Sequence, residues 1–316
     1  TISPALTLRC PFWGCPTGLK EGASTGGSPD SGQRVRSSYG RFGRKGRYWR
    51  TSDAKWVSRF TCLDCGHSFS SSHSSACFGQ RKRKLNDPIR KLLCSGVSQR
   101  RIARLLRINR KTVVRKFLFL AEQARLTHQA FQREQTTSHG GITQIQFDEM
   151  ESFEHSKCLP LSIPLVVEVK TRKILGYRVC SMPAKGLLAA TSRKKYGHRP
   201  DHRAGAARSL FDELAPLLAP NATAVSDQNP HYPGWFNAHL PNVTHTTIKG
   251  RRGCVVGQGE LKKIGHDPLF DLNHTCAMIR ANVNRLFRRT WCTTKRHDRL
   301  AKHLALYVEY HNQELT

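Results

Sequence analysis

The chain is poor in acidic residues: 22 Asp and Glu stand against 52 Lys and Arg, which gives a formal net charge of +30 and a pI near 10.3. Such a surface attracts polyanions, because binding releases their condensed counterions. Nucleic acid is therefore the leading partner, and an anionic membrane surface is the alternative. The shortage of acids is greatest in residues 1–141, with 7 acids and 27 bases, against 15 and 25 in residues 142–316. We expect the front half to dock on the polyanion and the back half to carry most of the acid chemistry.

Long apolar runs are also missing. Hydrophobic residues make up 38% of the 316 positions. No run approaches the roughly 20 residues that span a bilayer. No signal peptide opens the sequence, although it begins with Thr1 and a true N-terminus can be missing. We expect a protein without membrane contact.

Cysteine occurs in an odd number, eleven, and only Cys10, Cys15, Cys62 and Cys65 form close pairs. This count argues against a disulfide framework and for metal binding in a reducing compartment. Zinc prefers four thiolate or imidazole ligands in a tetrahedron, and close pairs on turns supply them. The pairs therefore predict a structural Zn²⁺ site in a zinc-ribbon-like module. Two unrelated reduced pairs are the alternative, and His67 or Cys77 could replace one ligand.

A Gly- and Ser-rich insert separates the two cysteine pairs, and its end is basic and aromatic from Tyr39 to Arg50. Basic side chains interleaved with flat rings suit phosphate contacts and stacking, and arginine flanked by glycine can enter a narrow minor groove. We expect Arg44, Lys45 and Arg47 to contact DNA. A flexible, solvated loop is an equal alternative.

The next segment has the pattern of consecutive helices, over residues 86–93, 98–106 and 109–117. Ser98 is suited to cap the middle helix, whose apolar face is Ile102, Leu105 and Leu106. The spacing is typical of a helix-turn-helix, whose second helix enters the major groove with its N-terminal side chains. The predicted DNA contacts are Ser98, Asn109, Arg110, Lys111, Thr112 and Arg115. A basic helical hairpin is the alternative. A linker helix to residue 132 and a boundary over 134–141 follow.

The back half begins with an alternating strand, Ile142 to Glu149, in which Asp148 stands near the end. Two apolar strands in hairpin order follow, over residues 163–169 and 173–180. After them come a mobile basic segment over 192–199, a helix over 204–218 and a strand over 222–227 that ends in Asp227. Residues 243–248 suit a fifth strand. This order matches an α/β, ribonuclease-H-like domain, a mixed sheet with flanking helices, in which the strands of the two aspartates are neighbours.

Two carboxylates at neighbouring strand ends can share a pair of Mg²⁺ or Mn²⁺ ions about 4 Å apart. One ion would activate water or a 3′-hydroxyl, and the other would stabilise the leaving oxygen. Either aspartate alone is better explained as a turn or cap residue. The pair in this order, behind a basic front half, predicts phosphoryl transfer on nucleic acid by Asp148 and Asp227.

A last helix is predicted over residues 267–290, with an apolar stripe facing the core: Leu272, Cys276, Ile279, Val283 and Leu286. Asn273, Arg280 and Asn284 form a neighbouring polar stripe. Arg285, Arg288 and Arg289 add positive charge for strand phosphates.

With these motifs, nearly the whole chain resembles the DDE-type insertion-sequence transposases, closest to the insertion-sequence-one group and its relatives. The resemblance covers the cysteine pairs, the helix-turn-helix, Asp148-Glu-Met, Asp227 and the segment from Arg280 to Lys295. It implies a zinc-binding module over residues 1–80, a helix-turn-helix domain with linker helix over 81–135, and a ribonuclease-H-like catalytic domain over 136–316.

Carried over by position, the resemblance makes Asp148 and Asp227 the first two metal ligands and Arg280 an auxiliary residue. The family usually has Glu seven residues before this Arg, where the chain has Asn273. We rank Asn273 first and Glu260, which lies 33 residues after Asp227, second. Asp271 and His274 are further substitutes.

The resemblance implies a transposase that binds inverted-repeat ends in double-stranded DNA, cleaves them and transfers the 3′-hydroxyl to target DNA, as a homodimer or higher oligomer. A decayed or domesticated descendant that only binds DNA is the second hypothesis, and Asn273 supports it. A nuclease directed at RNA or at nucleic-acid structure is the third.

Overall fold

A computed structural model describes residues 10–12, 15, 36–37, 40–138, 140–249, 267–287 and 291–316. The chain forms two compact units, Thr1–Pro88 and Ile89–Thr316. The cysteine pairs belong to the first unit, whereas most of the predicted helix-turn-helix and the back half belong to the second. The functional division into residues 1–80, 81–135 and 136–316 stays a prediction. Among the helices described, none has both the length and the apolar character needed to cross a bilayer.

The described part of the first unit is a small antiparallel sheet. Its strands, in spatial order, are β1 (Arg36–Ser37), β2 (Gly40–Arg50), β3 (Lys55–Cys62) and β4 (Ser68–Ser70). Pairing of β2 with β3 shifts register between Arg44 and Arg47, around Gly46 at φ +89°. Phe42 and Phe69 pack with the cysteines as the core. The basic end of the insert is therefore a paired strand and not a solvated loop.

The second unit begins with helices. They are α1 (Asn86–Leu93), which spans the boundary between the units, α2 (Gln99–Leu105) and α3 (Arg110–Ser138). Ser98 caps α2 as predicted, because its Oγ accepts the N–H of Arg101 at 3.3 Å. Ile102 is buried but Leu105 is 58% exposed, so the predicted apolar face was wrong at Leu105. The 29 residues of α3 join the helix predicted over residues 109–117 and the predicted linker helix into one. The domain boundary predicted from residue 134 was placed too early, because α3 continues to Ser138.

A mixed sheet forms the centre of the second unit. Its described strands are β5 (Ile142–Phe153), β6 (Pro160–Glu168), β7 (Ile174–Tyr177), β8 (Cys180–Ser181), β9 (Leu218–Asp227) and β10 (Thr244–Ile248). The order is β10-β9-β5-β6-β7, with β8 also beside β6. Pairs β5–β6, β6–β7 and β6–β8 are antiparallel, whereas β9 is parallel to both β5 and β10. The predicted adjacency of the strands of Asp148 and Asp227 is confirmed.

Helices flank this sheet. They are α4 (Leu188–Tyr196), α5 (Arg203–Leu214), α6 (Tyr232–His239), α7 (Phe270–Asn282) and α8 (His297–Glu314). The segment predicted to be mobile at 192–199 is largely helical in α4. The helix predicted over 204–218 ends at Leu214, and a 3-10 turn over Ala215–Leu217 leads into β9. Pro216 lacks the N–H that an α-helix would need there, which explains the early end.

The predicted helix over 267–290 was too long, because α7 ends at Asn282. The carbonyl of Asn282 accepts the N–H of Gly96 at 2.7 Å, and Asn284 Nδ2 donates to the Gly96 carbonyl at 3.2 Å. Val283 is extended, and Asn284–Leu286 form a 3-10 turn. Contacts distant in sequence thus override helical propensity here. The predicted apolar stripe of this segment is buried throughout.

Apolar packing on the sheet fixes β5. The ring of Phe147 meets Phe211, Tyr232 and Phe236 at centroid distances of 4.8–5.7 Å. Gln146 holds α7, since its Nε2 donates to the Pro268 carbonyl at 2.9 Å and its Oε1 accepts the Leu272 N–H at 2.8 Å. Successive residues of a strand point to opposite faces of the sheet. Phe147 therefore packs into the aromatic core, and Asp148 follows it directly on β5.

Candidate active site and nucleic-acid interface

The four paired cysteines converge on one point. Their Sγ atoms all lie within 4.8 Å of one another, and the Cys10–Cys65 and Cys15–Cys62 distances are both 3.6 Å. A tetrahedron with Zn–S bonds of ~2.3 Å has edges of about 3.8 Å, so the donor set fits zinc. Burial raises the pKa of the Cys10 thiol to about 12, so a thiolate there needs a bound cation. These cysteines could bind a metal such as zinc.

The alternative ligands have other contacts. The ring of His67 stacks on Phe12 with centroids 4.2 Å apart, and Cys77 Sγ accepts from Asn86 Nδ2 at 3.3 Å. Among the described residues, the four cysteines are the only such group of three or more His, Cys, Asp or Glu. The ligand set predicted from sequence is therefore the set that the fold assembles.

Strands β2 and β3 present basic and aromatic side chains to solvent. Arg44, Lys45 and Arg47 are exposed, as predicted for DNA contacts. Lys45 Nζ donates to Ser68 Oγ at 2.8 Å, and the Arg47 guanidinium lies 4.9 Å from the centre of the Trp56 ring. The exposed surface of β2 and β3 thus carries Lys45 and Arg47 in contact with neighbouring side chains.

The predicted contacts at the start of α3 lie largely on the surface. Arg110, Lys111 and Arg115 are exposed, whereas Thr112 is half-buried. Asn109 Oδ1 accepts the N–H of Lys111 at 2.8 Å, so this side chain caps α3 as well as facing solvent. Among the ten residues from Gly96 to Leu105 are three further arginines, at 100, 101 and 104. The arrangement offers phosphates a dense set of cations.

Asp148 and Asp227 lie on neighbouring parallel strands, and each directly follows the last aligned pair between β5 and β9, Phe147 and Ser226. Asp227 ends β9 as predicted, but the predicted end of the first strand near Asp148 was wrong, because β5 continues to Phe153 in its pairing with β6. Burial raises the pKa of Asp148 to about 6, and the negative charge of Asp227 raises it as well. Two hydrogen bonds to Asp148 Oδ1, from the Glu149 N–H at 2.7 Å and the Tyr232 hydroxyl at 3.0 Å, oppose that rise. A buried carboxylate whose pKa is raised next to a second carboxylate suits a hard divalent cation.

Tyr232 and Glu149 belong to the surroundings of Asp148, and sequence reasoning did not single them out. The Tyr232 hydroxyl contacts Glu149 Oε2 at 3.4 Å as well as Asp148. Glu149 also accepts from Ser162 Oγ at 2.6 Å and pairs with Arg203 at 3.7 Å. Burial, and then the neighbouring carboxylates, raise the pKa of Tyr232, which keeps it a donor. Tyr232 follows Asp227 by five residues, and the start of α6 carries it back over β5.

The third predicted ligand faces elsewhere. Asn273 is exposed on α7, and its Nδ2 donates to Asp267 Oδ2 at 2.9 Å. Of the two substitutes, Asp271 accepts the N–H of Lys170 at 3.0 Å, and His274 Nδ1 lies 3.2 Å from Arg172. Within the described ranges, Asn273 has no hydrogen bond to Asp148 or Asp227. Glu260, Arg288 and Arg289 lie outside the described residues.

Cys276 and, one turn later, Arg280 lie on α7. Burial raises the pKa of the Cys276 thiol to about 12; the charge of Arg280 lowers it and that of Asp148 raises it. Arg280 lines a cavity together with Met150 and Glu151, which follow Asp148 on β5. The auxiliary role expected for Arg280 stays a prediction.

An open cavity of about 580 Å³ borders Asp227. Its lining contains Lys185, Arg203 and Lys249, and the rest is polar or proline, from Gln228 to His231. Asp227 Oδ1 accepts the N–H of Asn229 at 3.0 Å, which fixes the carboxylate at the mouth. A phosphate could therefore approach Asp227 among three cations.

No protein-family model matches the chain, and no curated protein matches it.

Proposed function

We propose that the chain is a DDE-type DNA transposase with a ribonuclease-H-like catalytic domain. It would bind transposon ends and catalyse metal-dependent cleavage and strand transfer, in a prokaryotic cytoplasm on nucleoid DNA. The observation that carries the proposal is the pair Asp148 and Asp227, which directly follow the last aligned residues of two parallel neighbouring strands, where burial and then the charge of Asp227 raise the pKa of Asp148. The net charge of +30 supports a nucleic-acid substrate.

Asp148 and Asp227 would hold Mg²⁺ or Mn²⁺, which suits their acceptor-only oxygens. Bound metal supplies charge neutralisation at the phosphorus and a more acidic water or 3′-hydroxyl. Tyr232 fixes one oxygen of Asp148, so the other oxygen remains available. Arg280 would contact a substrate phosphate from α7, at the cavity that it lines together with Met150 and Glu151 of β5.

DNA would be positioned by the cations at the start of α3, by β2 and β3, and by the zinc module. Arg285, Arg288 and Arg289 would add strand-phosphate contacts. Transposition requires two ends in one complex, so a homodimer or higher oligomer follows from the proposed activity.

The test uses a duplex selected from a random pool by the wild-type protein, because its own target sequence then enters the assay. Wild type should nick and join this DNA with Mg²⁺ or Mn²⁺. Asp148→Asn and Asp227→Asn should lower joining by at least ~10³-fold while end binding stays within about twofold. Asp212→Asn, which removes an exposed carboxylate on α5 by the same change, is the matched control.

Retained joining by either aspartate variant would refute the metal assignment. Cleavage of RNA–DNA hybrid that is indifferent to the selected sequence would instead support the structure-directed nuclease.

The missing third ligand has its own test. Asn273→Ala and Glu260→Gln, assayed separately for Mn²⁺-dependent joining, distinguish the two positions. Loss of joining only in Glu260→Gln assigns the ligand to Glu260, and loss only in Asn273→Ala assigns it to Asn273. Asn273→Glu should strengthen the response to Mg²⁺ in the second case, because a charge is added to the site.

A second candidate, DNA binding without catalysis, is favoured by one observation: the Asn273 amide contacts Asp267 and not the strand-end aspartates. Wild type would then bind the selected duplex tightly and show no nicking or joining with either metal.

The zinc proposal predicts that Cys62→Ser lowers bound zinc from about one equivalent to a small fraction and weakens end binding. Cys77→Ser is the matched control, since its thiol lies outside the cysteine cluster. Metal analysis by mass spectrometry and gel-shift titration measure the two effects. Full zinc content in Cys62→Ser would contradict the assignment.

A further inference from the structure

A basic groove of about 1310 Å³ runs between the start of α2 and the segment that follows α7. We call it the arginine groove. Its cationic lining residues are Arg100, Arg101, Arg110, Arg280, Arg285 and Lys295. Among its described lining residues there is no Asp or Glu. A cavity lined by cations of one sign concentrates anions, and phosphates above all.

The two walls of the groove are tied to each other. The hydrogen bonds between Gly96 and both Asn282 and Asn284 join the turn before α2 to the end of α7. Gly96 also packs against Phe287, whose Cζ lies 2.8 Å from where a Cβ would stand. The groove is therefore a formed feature of the second unit, because its two walls are joined without a bound ligand.

Arg285 is one of the residues that line this groove. Burial lowers the pKa of its guanidinium, and the charge of Arg299 lowers it further. The guanidinium lies over the Phe117 ring at 5.7 Å. The charge of Asp298 raises this pKa in part, and a half-buried cation near another cation is stabilised by a bound anion, so a phosphate in the groove would stabilise Arg285.

Trp291 lines the same groove and is 78% exposed. A flat exposed ring among arginines suits stacking with a base whose face is uncovered. Bases inside a duplex have both faces covered by their neighbours. The combination of ring and cations therefore favours an unpaired strand over a duplex.

A smaller cavity of about 290 Å³ continues the groove towards the carboxylates. Arg280, Arg285, Phe287 and Thr293 line both cavities, and the smaller one also contacts Met150 and Glu151. These last two residues follow Asp148 on β5 by two and three positions. A volume near ~300 Å³ is the lower end for small-molecule sites, so it has room for about one nucleotide and excludes a duplex.

We propose that the arginine groove binds an unpaired DNA strand, with a base stacked on Trp291 and phosphates on the arginines. The direction of the strand, whose end would pass Arg280 towards Asp148, rests on the proposed function. The binding of an unpaired strand in the groove is independent of the proposed function. The substrate class would then be DNA whose terminal base pairs open at the site of cleavage.

The test measures affinity by fluorescence anisotropy for labelled oligothymidylate and for duplex DNA. Trp291→Ala should weaken oligothymidylate binding by about 5- to 100-fold, the effect of one stacked base, and duplex binding by less than about twofold. Trp291→Phe should retain most of the affinity, because a ring remains. Tyr196→Ala, an exposed aromatic outside the groove lining, is the control for loss of a surface ring and should leave both affinities unchanged.

A second readout uses 2-aminopurine in the oligonucleotide, whose emission should be quenched by wild type and not by Trp291→Ala. Unchanged oligothymidylate affinity in Trp291→Ala, or an equal loss for duplex and single strand, would overturn the proposal. A change in oligomeric state on Trp291→Ala, measured by sedimentation, would also overturn it and assign Trp291 to a protein interface. Asp148→Asn should keep wild-type oligothymidylate binding, so the groove and the proposed chemistry succeed or fail separately.

Discussion

At the scale of single residues, Asp148 is a carboxylate of the candidate active site whose pKa is raised. Burial, with the charge of Asp227, raises its pKa from an ordinary 3.8 to about 6. The folded protein therefore holds this proton more tightly than the unfolded chain does. Above pH 6 the ionised carboxylate lowers the free energy of unfolding, and below about pH 4 that penalty is absent.

We therefore expect Asp148→Asn to be more stable than wild type at pH 7.5 in metal-free buffer, by about 1–3 kcal/mol after allowance for solvent screening. The amide keeps an oxygen for Tyr232 and removes the charge. The advantage should shrink as the pH falls from 6 towards 4. Urea denaturation at both ends of this range measures it, with Glu151→Gln as control. If the variant is less stable than wild type at pH 7.5, the ionised Asp148 carboxylate does not lower the free energy of unfolding.

Gly96 is a second residue whose identity is dictated by the fold. Its φ is +73°, and an added Cβ would lie 2.8 Å from Phe287 Cζ and 3.3 Å from the Ala281 carbonyl oxygen. Gly96→Ala should cost about 2–4 kcal/mol of unfolding free energy, from left-handed backbone and overpacking together. Gly140→Ala is matched in backbone, at φ +68°, but meets nothing within 4 Å and should cost only about 1–2 kcal/mol. Chemical denaturation compares them, and equal losses would show that the Phe287 contact contributes nothing.

At the scale of secondary-structure elements, buried histidines fasten α8. His303 Nε2 lies 3.1 Å from the Leu93 carbonyl oxygen of α1, and His311 Nε2 lies 3.0 Å from the Arg172 carbonyl oxygen before β7. Burial, with the charge of Arg285, lowers the pKa of His303 from 6.5 to about 4. Between these two pH values His303 is protonated in the unfolded chain and neutral in the folded protein. The free energy of unfolding therefore falls as the pH drops from 6.5 towards 4.

We expect His303→Gln, whose amide can still donate to Leu93, to be less stable than wild type at pH 7.5 by about 1–2 kcal/mol through poorer packing. Its further loss between pH 6.5 and 4.5 should be smaller than that of wild type by roughly 2 kcal/mol. Thermal or urea unfolding at several pH values measures both slopes. His297→Gln, at an exposed position of the same helix, should reproduce the wild-type slope. If both variants follow wild type, His303 is not the titrating group.

The sequence predicted the elements whose signals are local. Alternation marked β5, although that strand continues past Asp148 to Phe153, the Ser98 cap marked α2, and Asp227 marked the end of β9. It missed what depends on distant contacts: the end of α7 at Asn282 is set by Gly96, which is far away in sequence. Tyr232 was missed for the same reason, because its approach to Asp148 depends on how α6 packs against Phe147.

At the scale of the whole molecule, positive charge is spread over both units, and the two units present it differently. Arg44, Lys45 and Arg47 lie on an exposed strand pair, whereas Arg110, Lys111 and Arg115 lie at the start of α3. Each phosphate contact contributes about 0.9 to the slope of log affinity against log salt for duplex DNA. Contacts to phosphates alone carry no sequence information, whereas a helix in the major groove reads base edges.

We therefore expect two triple variants with Gln at these positions to separate affinity from specificity. Both should reduce the salt slope, by up to about 3, since each removes three cations. The β2 variant should weaken the selected duplex and a random duplex equally, because its contacts are to the backbone. The α3 variant should weaken the selected duplex more, by at least about tenfold relative to random DNA. Salt titrations of fluorescence anisotropy on both duplexes measure the two quantities. Equal loss of specificity in both variants would assign base reading to the strand pair as well, and unchanged specificity in the α3 variant would remove α3 from the major groove.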